Sequence, residues 1–354
     1  MTTTPEPPNR RPQRRRRRRR LSIDDYVQGV LKGDRGVLAR AITLIESRKD
    51  SDRPAAQAVL QALLPHTGAA VRVGITGVPG VGKSTFIDAF GMHLLEQGHR
   101  VAVLAVDPSS AISGGSIMGD KTRMQRLGMA EAAFVRPSPS GLSLGGVTRR
   151  TRESLLLCEA AGYDVILIET VGVGQSETVV AEMVDTFLVL MLPGAGDELQ
   201  GIKRGILEMA DILAVNKADG DNRLRAQAAR QEYQAALRYL HRRDPHWKTP
   251  VPLISGQTGE GLPEIWETIG LHRAQLQETG TFNQRRSEQR LRWMWDAIEE
   301  QLLSAFHETQ AVQAQLKGLE AAVKNGERPP TVAAEALIAV FRESYSSSSQ
   351  SSPS

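Results

Sequence analysis

Short apolar runs alternate with stretches of helical spacing between residues 71 and 254. The runs show little polar alternation, so we expect strands that are buried on both faces. The predicted strands are Val71–Thr76, Val101–Val106, Val165–Glu169, Thr186–Leu192, Ile212–Val215 and Val251–Ile254. Such strands, separated by crossover helices, are typical of an α/β fold with a mainly parallel, doubly wound sheet. Ligands bind such sheets at the carboxyl ends of the strands.

Residues 21–65 precede this region and have the spacing of amphipathic helices. One apolar stripe runs from Leu21 to Leu31 and a second from Val37 to Ile45, with a turn predicted at Gly33-Asp34. We interpret these residues as a small helical extension packed on the domain formed by residues 66–275.

Residues 276–343 show a third pattern, in which apolar residues recur at spacings of three and four. The stripe comprises Leu291, Met294, Trp295, Ile298, Leu302 and Phe306 and continues with Val312, Leu316, Leu319 and Val323. It predicts one long amphipathic helix that ends at Asn325-Gly326 and Pro329-Pro330, then a shorter helix over Val332–Phe341. The stripe could pack on its own chain or on a second copy. Its length and late position favour a dimerisation arm.

Both ends of the chain are compositionally biased. Nine arginines lie between Arg10 and Arg20, and leaving them out turns the net charge of +4 into −5. We expect residues 1–20 to be a disordered tail, either simply solvated or able to bind nucleic acid or an acidic partner. The Ser-rich residues 344–354 are also expected to be disordered.

The remaining composition points to a protein of the cytoplasm. The single cysteine, Cys158, excludes an internal disulfide and is expected to be buried, which suits a reducing compartment. No run approaches the roughly 18 apolar residues of a spanning helix, so no membrane association is expected. The arginine block lacks the apolar segment of a secretory signal and the apolar face of a mitochondrial presequence.

The strongest motif follows the first predicted strand and has the phosphate-loop pattern G-x-x-x-x-G-K-[ST]. Its residues are Gly77, Val78, Pro79, Gly80, Val81, Gly82, Lys83, Ser84 and Thr85. The glycines let backbone N–H groups close around phosphate oxygens at the start of a helix. Lys83 is expected to hold the β and γ phosphates, and the Ser84 hydroxyl to bind Mg²⁺.

A guanine-recognition pattern, N-K-x-D, follows the predicted strand Ile212–Val215. The carboxylate of Asp219 can accept from two donors of guanine, a pair that adenine does not offer. Asn216 can bond the base from the other side, and the stem of Lys217 can cover the ring. The loop of Ser255, Gly256 and Gln257 after the last predicted strand is expected to touch the base through its backbone. These motifs predict a site for GTP and GDP.

Carboxylates at strand ends complete the predicted site. Glu169 should hold Mg²⁺, and the N–H of Gly172 should sense the γ-phosphate, in a loop that includes Gln175. Asp107 could bind Mg²⁺ through water or activate the attacking water, or form an Asp-Pro turn alone. Asp120 is a further candidate for the metal.

Two glycine-rich loops could change shape with the nucleotide. The loop of residues 113–124 ends near Arg123, a candidate contact for phosphate or a partner. The loop of residues 194–203 contains Asp197, Gln200 and Lys203. For the second loop a simple solvated connector is the alternative.

Taken together, these motifs resemble the MeaB/ArgK family of P-loop GTPases, the chaperones associated with methylmalonyl-CoA mutase. The resemblance rests on segments 77–85, 106–110, 114–124, 169–177, 193–203 and 216–219 and covers roughly residues 21–340. It implies a homodimer built by the C-terminal arm, and a partner that is an adenosylcobalamin-dependent acyl-CoA mutase. It also implies that GTP gates cofactor delivery and protection, and that turnover is slow until the mutase completes the site.

The same resemblance assigns Asp107, Asp120 and Glu169 as metal and switch carboxylates, with Lys83 and Ser84 on the phosphates and Mg²⁺. It assigns the 193–203 loop as a third switch that relays the nucleotide state to the mutase. The identity of the mutase stays open, as does the group that positions the attacking water, for which Gln175, Asp107 and a partner residue are candidates.

Three other functions are alternatives to this assignment. A nickel or zinc metallochaperone GTPase would carry Cys or His clusters, whereas the seven histidines here are scattered. A nucleic-acid-associated GTPase is suggested by the arginine tail alone. A GTP-dependent kinase of amino-acid transport finds no direct support in the chain.

Overall fold

The structure, a computed structural model, describes residues 21–106, 124–137, 144–170, 176–194, 204–240 and 243–349. Six parallel strands form one sheet in the order β3-β2-β4-β1-β5-β6. The strands are β1 (Val71–Gly77), β2 (Val101–Val106), β3 (Ala133–Arg136), β4 (Val165–Thr170), β5 (Thr186–Met191) and β6 (Ile212–Val215). The predicted α/β class with a doubly wound parallel sheet is therefore confirmed.

Helices cover both faces of the sheet, and further helices precede the first strand and follow the last strand along the chain. Those before and within the sheet region are α1 (Ile23–Leu31), α2 (Arg35–Ile45), α3 (Arg53–Leu63), α4 (Lys83–Glu96), α5 (Gln125–Met129), α6 (Leu144–Ala160), α7 (Ser176–Ala181), α8 (Arg204–Met209) and α9 (Arg223–Leu237). Those after it are α10 (Leu262–Glu278), α11 (Thr281–Glu308), α12 (Gln310–Lys324) and α13 (Pro330–Ser349).

Alternate residues of each strand supply two separate cores. In β4, Ile166 and Ile168 face a core shared with α1, α2 and α6, while Val165 and Leu167 face a core shared with α4 and α10. A strand with side chains pointing alternately to two faces is apolar throughout only when both faces are covered. This explains why the runs in the sequence are continuously apolar. Cys158 lies fully buried in the first core, as predicted.

The N-terminal extension forms as predicted. Ser22 caps α1 with a reciprocal capping box to Asp25, and Asp34 caps α2 by accepting from two backbone N–H groups. Between them Gly33 has φ +71°, a conformation that glycine adopts at low cost. The stripes of α1 and α2 bury Val30, Leu38 and Ile42 completely, so the extension belongs to the first core.

Two predictions about the strands were wrong. Strand β3, of four residues, was missed because so short a segment carries little periodic signal. Val251–Ile254 does not form a strand, and pairs with β6 at one bridge between Val215 and Leu253. The carbonyls of Pro250 and Pro252 accept hydrogen bonds from backbone N–H groups of β6. Pro252 has no N–H, so it cannot donate a hydrogen bond back to that strand.

The C-terminal prediction was also partly wrong. The expected single helix breaks at Thr309, whose ψ of 117° is extended, and α12 follows as a separate helix. The chain folds back after this break. As a result, the ring of Phe341 in α13 contacts that of Phe306 in α11, with the ring centroids 5.5 Å apart. The last helix also continues through Ser349, where disorder had been expected from residue 344. Residues 350–354 and 1–20 lie outside the described residues.

A buried ion pair fastens the first turns of α11 to the sheet. The guanidinium of Arg286 donates from Nε and Nη2 to both carboxylate oxygens of Asp185, at 2.8 and 2.7 Å. It also donates to the carbonyl of Ala70, at 2.8 Å. Asp185 and Arg286 are only 1% and 5% exposed. The root of the C-terminal arm is therefore fixed to the amino ends of β1 and β5, opposite the phosphate loop.

Candidate nucleotide site

The phosphate loop connects the carboxyl end of β1 to the start of α4. Gly77 has φ +152°, and a Cβ there would lie 2.5 Å from the carbonyl oxygen of Leu190 on β5. Only glycine fits so close an approach of two backbones. Gly82, immediately before α4, has φ +93°. These two positions set the turn that directs backbone N–H groups and the helix N-terminus toward one point.

Lys83 begins α4 and lies beneath the loop, 9% exposed. Its Nζ donates to the carbonyl of Gly77 at 2.8 Å and reaches that of Val78 at 3.4 Å. Burial lowers the pKa of Lys83, and the charges of Glu169 and Glu177 oppose that shift. A partly desolvated ammonium held by neutral carbonyls is suited to bind an entering phosphate.

Ser84 and Glu169 meet next to this lysine, although they lie on different elements. The Ser84 hydroxyl donates to Oε1 of Glu169 at 3.1 Å. Glu169, near the end of β4, is 7% exposed. A hydroxyl and a carboxylate are hard oxygen ligands of the kind that Mg²⁺ prefers alongside water and phosphate. The pair therefore fits the predicted metal.

The guanine side of the site is a cleft of about 190 Å³ beside the phosphate loop. Its lining residues are Gly82, Thr85, Asn216, Lys217, Asp219, Asn222, Ser255, Gly256 and Gln257. Eight of them belong to the two predicted motifs, the phosphate loop and N-K-x-D, or to the predicted loop 255–257. Asn222 was missed because it lies just beyond the four-residue N-K-x-D pattern. The presence of Gly82 shows that the phosphate loop borders the same cleft.

Asn216 joins three parts of this cleft through its side-chain amide. Its Nδ2 donates to the carbonyl of Val81 at 2.8 Å, and its Oδ1 accepts from the N–H of Gly256 at 3.0 Å. The neighbouring Lys217 has φ +59°, rare for a residue with a side chain, and its Nζ donates to the carbonyl of Gly80 at 2.8 Å. Both side chains are thus engaged with the phosphate loop, which adds a scaffolding role to the predicted contacts with the base.

Several predicted residues lie outside the described residues. They are Asp107, Asp120, Arg123, Gly172, Gln175, Asp197, Gln200 and Lys203. Their roles stay predictions. Within the described ranges, no group of three or more His, Cys, Asp or Glu side chains is arranged to hold a metal ion. No helix in those ranges is both long and apolar enough to cross a bilayer.

Glu177 is a second residue that the sequence analysis did not single out. It lies in the first turn of α7, 3% exposed, and its charge acts on Lys83. The sequence carries no distinct signal for it, because an acid in the first turn of a helix is common and its burial is visible only in the folded protein.

Comparison with known proteins decides the family. The model described as "Methylmalonyl Co-A mutase-associated GTPase MeaB" matches residues 38–311. This chain belongs to the MeaB family. The resemblance inferred from the motifs is thereby confirmed, as is the predicted GTPase activity.

The relatives span nearly the whole chain. A Caulobacter vibrioides protein named "Putative GTPase" is 54% identical over 321 residues, covering 91% of this chain and 98% of its own. GTPase ArgK of Escherichia coli is 44% identical over 324 residues, covering 92% and 98%. The mitochondrial methylmalonic aciduria type A homolog of Mus musculus is 46% identical over 333 residues, covering 91% and 80%.

A solved structure of the same fold is also similar. It is the crystal structure of an LAO/AO transport system kinase, with a TM-score of 0.72 and 39% sequence identity, covering 90% of this chain and 97% of that one. The fold of this chain is therefore common to both proteins.

Proposed function

We propose that this GTPase is a chaperone of an adenosylcobalamin-dependent acyl-CoA mutase such as methylmalonyl-CoA mutase, and that GTP gates delivery of the cofactor and its protection. The observation that carries the proposal is the match to a family named for association with that mutase, over residues 38–311. The Mus musculus relative, named for methylmalonic aciduria, points to the same metabolism. The cytoplasmic location stays a prediction, since that relative is named as mitochondrial.

The geometry supports the following roles for the residues of the site. The phosphate-loop amides and the Lys83 ammonium, held 2.8 Å from the Gly77 carbonyl, bind the phosphates of GTP. Ser84 and Glu169, 3.1 Å apart, hold Mg²⁺, which neutralises charge on the β and γ phosphates. Asp219 selects guanine. Asp107, Asp120 and Gly172 are proposed to complete the metal and γ-phosphate contacts, with Gln175 or Asp107 near the attacking water.

We further propose that hydrolysis is slow in the isolated protein and rises when the mutase engages the 194–203 loop. Asp197, Gln200 and Lys203 of that loop, with Arg123, are the proposed relay. The test is the rate of GTP turnover by the pure protein, alone and with the purified mutase. A large rise is expected, and an unchanged rate with each acyl-CoA mutase tested would contradict the chaperone role.

The phosphate-loop assignment has its own test. Lys83→Ala removes the ammonium, and we expect it to abolish GTP binding or turnover. Lys49→Ala, an exposed lysine far along the chain from the loop, is the matched control and should behave as the wild type. Normal binding and turnover by Lys83→Ala would show that the site is wrongly assigned.

We also propose that the C-terminal arm forms a homodimer. One side of α11 exposes large apolar side chains at helical spacing, among them Leu291, Met294 and Trp295, which are 58%, 47% and 58% exposed. Contiguous apolar surface of this kind marks a protein interface. Light scattering should give the dimer mass for the wild type and the monomer mass for Trp295→Glu.

The control for the arm is Leu224→Glu. Leu224 is 78% exposed at the start of α9, in the nucleotide-binding domain. The same change there should leave the dimer intact. A monomeric wild type, or equal loss of mass in both variants, would refute the arm as the interface.

A further inference from the structure

A second cavity, of about 390 Å³, opens at the β6 edge of the sheet. Helices α8 and α9 and the extended segment 248–252 form its walls. It shares no lining residue with the guanine cleft. Its volume falls within the range of small-molecule sites, roughly 300–1,000 Å³.

The floor of this cavity is apolar. Leu207 and Val251 are 6% and 4% exposed, and Pro252 is buried beside them. Leu237 and Leu240, at the end of α9, are half-buried in the same wall. A ligand with a hydrocarbon body would therefore remove apolar surface from water on both sides of the contact.

Three cations stand around this floor. Arg230 and Arg238 are eight residues apart at α9, so both lie on one helix face with Gln234 between them, and Lys248 faces them from the extended segment. In the described part of the chain, these three side chains have no hydrogen bond or ion pair. By contrast, Arg223 of the same helix pairs with Glu260 at 3.0 Å.

Two carboxylates, those of Glu208 and Glu264, also line the cavity. The lining therefore carries one net positive charge, from three cations and two acids. Guanidinium groups bind carboxylate and phosphate in a bidentate manner, which the flexible ammonium of Lys248 complements as a point charge. Apolar floor and cationic rim together suit a ligand that is apolar at one end and anionic at the other.

We propose that this cavity binds a small organic anion, a carboxylate or phosphate monoester on a short hydrocarbon chain. Arg230 and Arg238 hold the anionic group, and Leu207, Val251 and Pro252 receive the chain. Leu207 belongs to α8, the first described helix after the 194–203 loop. A ligand here would thus contact the helix next to the loop that is proposed to relay the nucleotide state.

The test is calorimetric titration of the full-length protein, kept in GDP and Mg²⁺ so that the phosphate loop is filled. Octanoate and octyl phosphate are the anionic probes, and 1-octanol is the neutral one. We expect saturable binding of at least one anion with Kd below about 1 mM, and binding of octanol at least ten-fold weaker. The tighter of the two anions identifies the headgroup.

Variants locate the binding. Arg230→Gln with Arg238→Gln should weaken the anion at least ten-fold, and Gln234→Trp should block the cavity sterically. Arg225→Gln, an exposed arginine of α9 that does not line the cavity, should change nothing. All these changes are at the surface, so thermal unfolding should be unaltered. Absence of saturable binding, equal affinity for octanol, or binding that survives both cavity variants would overturn the proposal.

Discussion

Asn216→Ala tests whether the amide of Asn216 holds the nucleotide site together. In the structure its Nδ2 donates to the carbonyl of Val81 and its Oδ1 accepts from the N–H of Gly256. Asn216 is 2% exposed, and Val81 and Gly256 are buried. Alanine would leave the carbonyl of Val81 and the N–H of Gly256 without these partners. It would also remove the side chain that links the two loops.

The expected cost follows from the two stranded groups. A buried backbone group that loses its partner costs about 1–3 kcal/mol, so two give about 2–6 kcal/mol. Asn216 lines the open cleft, and water can enter there to replace part of the loss. We therefore expect the free energy of unfolding to fall by about 2–4 kcal/mol, the lower part of that range.

The measurement is urea unfolding without nucleotide, followed by circular dichroism. The control is Asn222→Ala, which removes the same amide from the same cleft. Asn222 is exposed, and no hydrogen bond of its side chain occurs among the described residues, so its loss should stay within about 0.5 kcal/mol. A cost below 1 kcal/mol for Asn216→Ala, or one equal to the control, would refute the reasoning.

The same variant separates scaffolding from base recognition. If Asn216 acts mainly by joining the loops, its alanine variant should weaken GDP and xanthosine diphosphate by a similar factor. The ratio of the two dissociation constants, measured with fluorescent analogues, should then stay near the wild-type value. A ratio that shifts ten-fold or more would show that Asn216 selects the base directly.

Three further predictions follow from other parts of the structure. Asp219→Asn should relax the preference for GTP over xanthosine triphosphate in competition binding, because the carboxylate is the predicted acceptor for guanine; an unchanged preference would contradict the guanine assignment. Arg286→Met should lower the free energy of unfolding by about 3–5 kcal/mol, because it leaves the buried carboxylate of Asp185 without its cationic partner and with the N–H of Arg72 still donating to it. The control Arg290→Met changes an exposed arginine one turn further along and should cost under about 0.5 kcal/mol. Burial lowers the pKa of His272 below its ordinary value of 6.5, so as the pH falls the imidazole is protonated in the unfolded chain before it is protonated in the folded protein. The free energy of unfolding should therefore fall as the pH drops below about 6.5. Denaturation curves of His272→Gln should lack this part of the pH dependence, and a pH dependence equal to that of the wild type would refute it.

The sequence alone predicted most of the architecture, because the signals that define it are local. Five of the six strands, the helical extension with its turn at Gly33, and the phosphate loop were read from contiguous residues. Strand β3 escaped because four residues give too little periodicity. The strand expected at 251–254 failed because the apolar pattern outweighed a proline whose missing N–H breaks the ladder.

The candidate site divides in the same way. Lys83, Ser84, Asn216 and Asp219 belong to short motifs whose spacing already implies their chemistry, so each could be named without coordinates. Glu177 and Asn222 could not, since a buried acid in a helix and an asparagine beyond a motif look like any others in a linear chain. Their position beside the phosphate loop and cleft is a property of the folded protein.

What the sequence by itself determined is thus the class of fold, the nucleotide and the family, since each rests on patterns within about ten neighbouring residues. Tertiary structure decided which residues meet. Ser84 and Glu169 are 85 positions apart, and Asn216 lies 135 positions from the carbonyl it holds. The cavity between α8 and α9 likewise exists only because β6 ends the sheet there. Such contacts depend on strand order and on packing between distant segments, which no local pattern encodes.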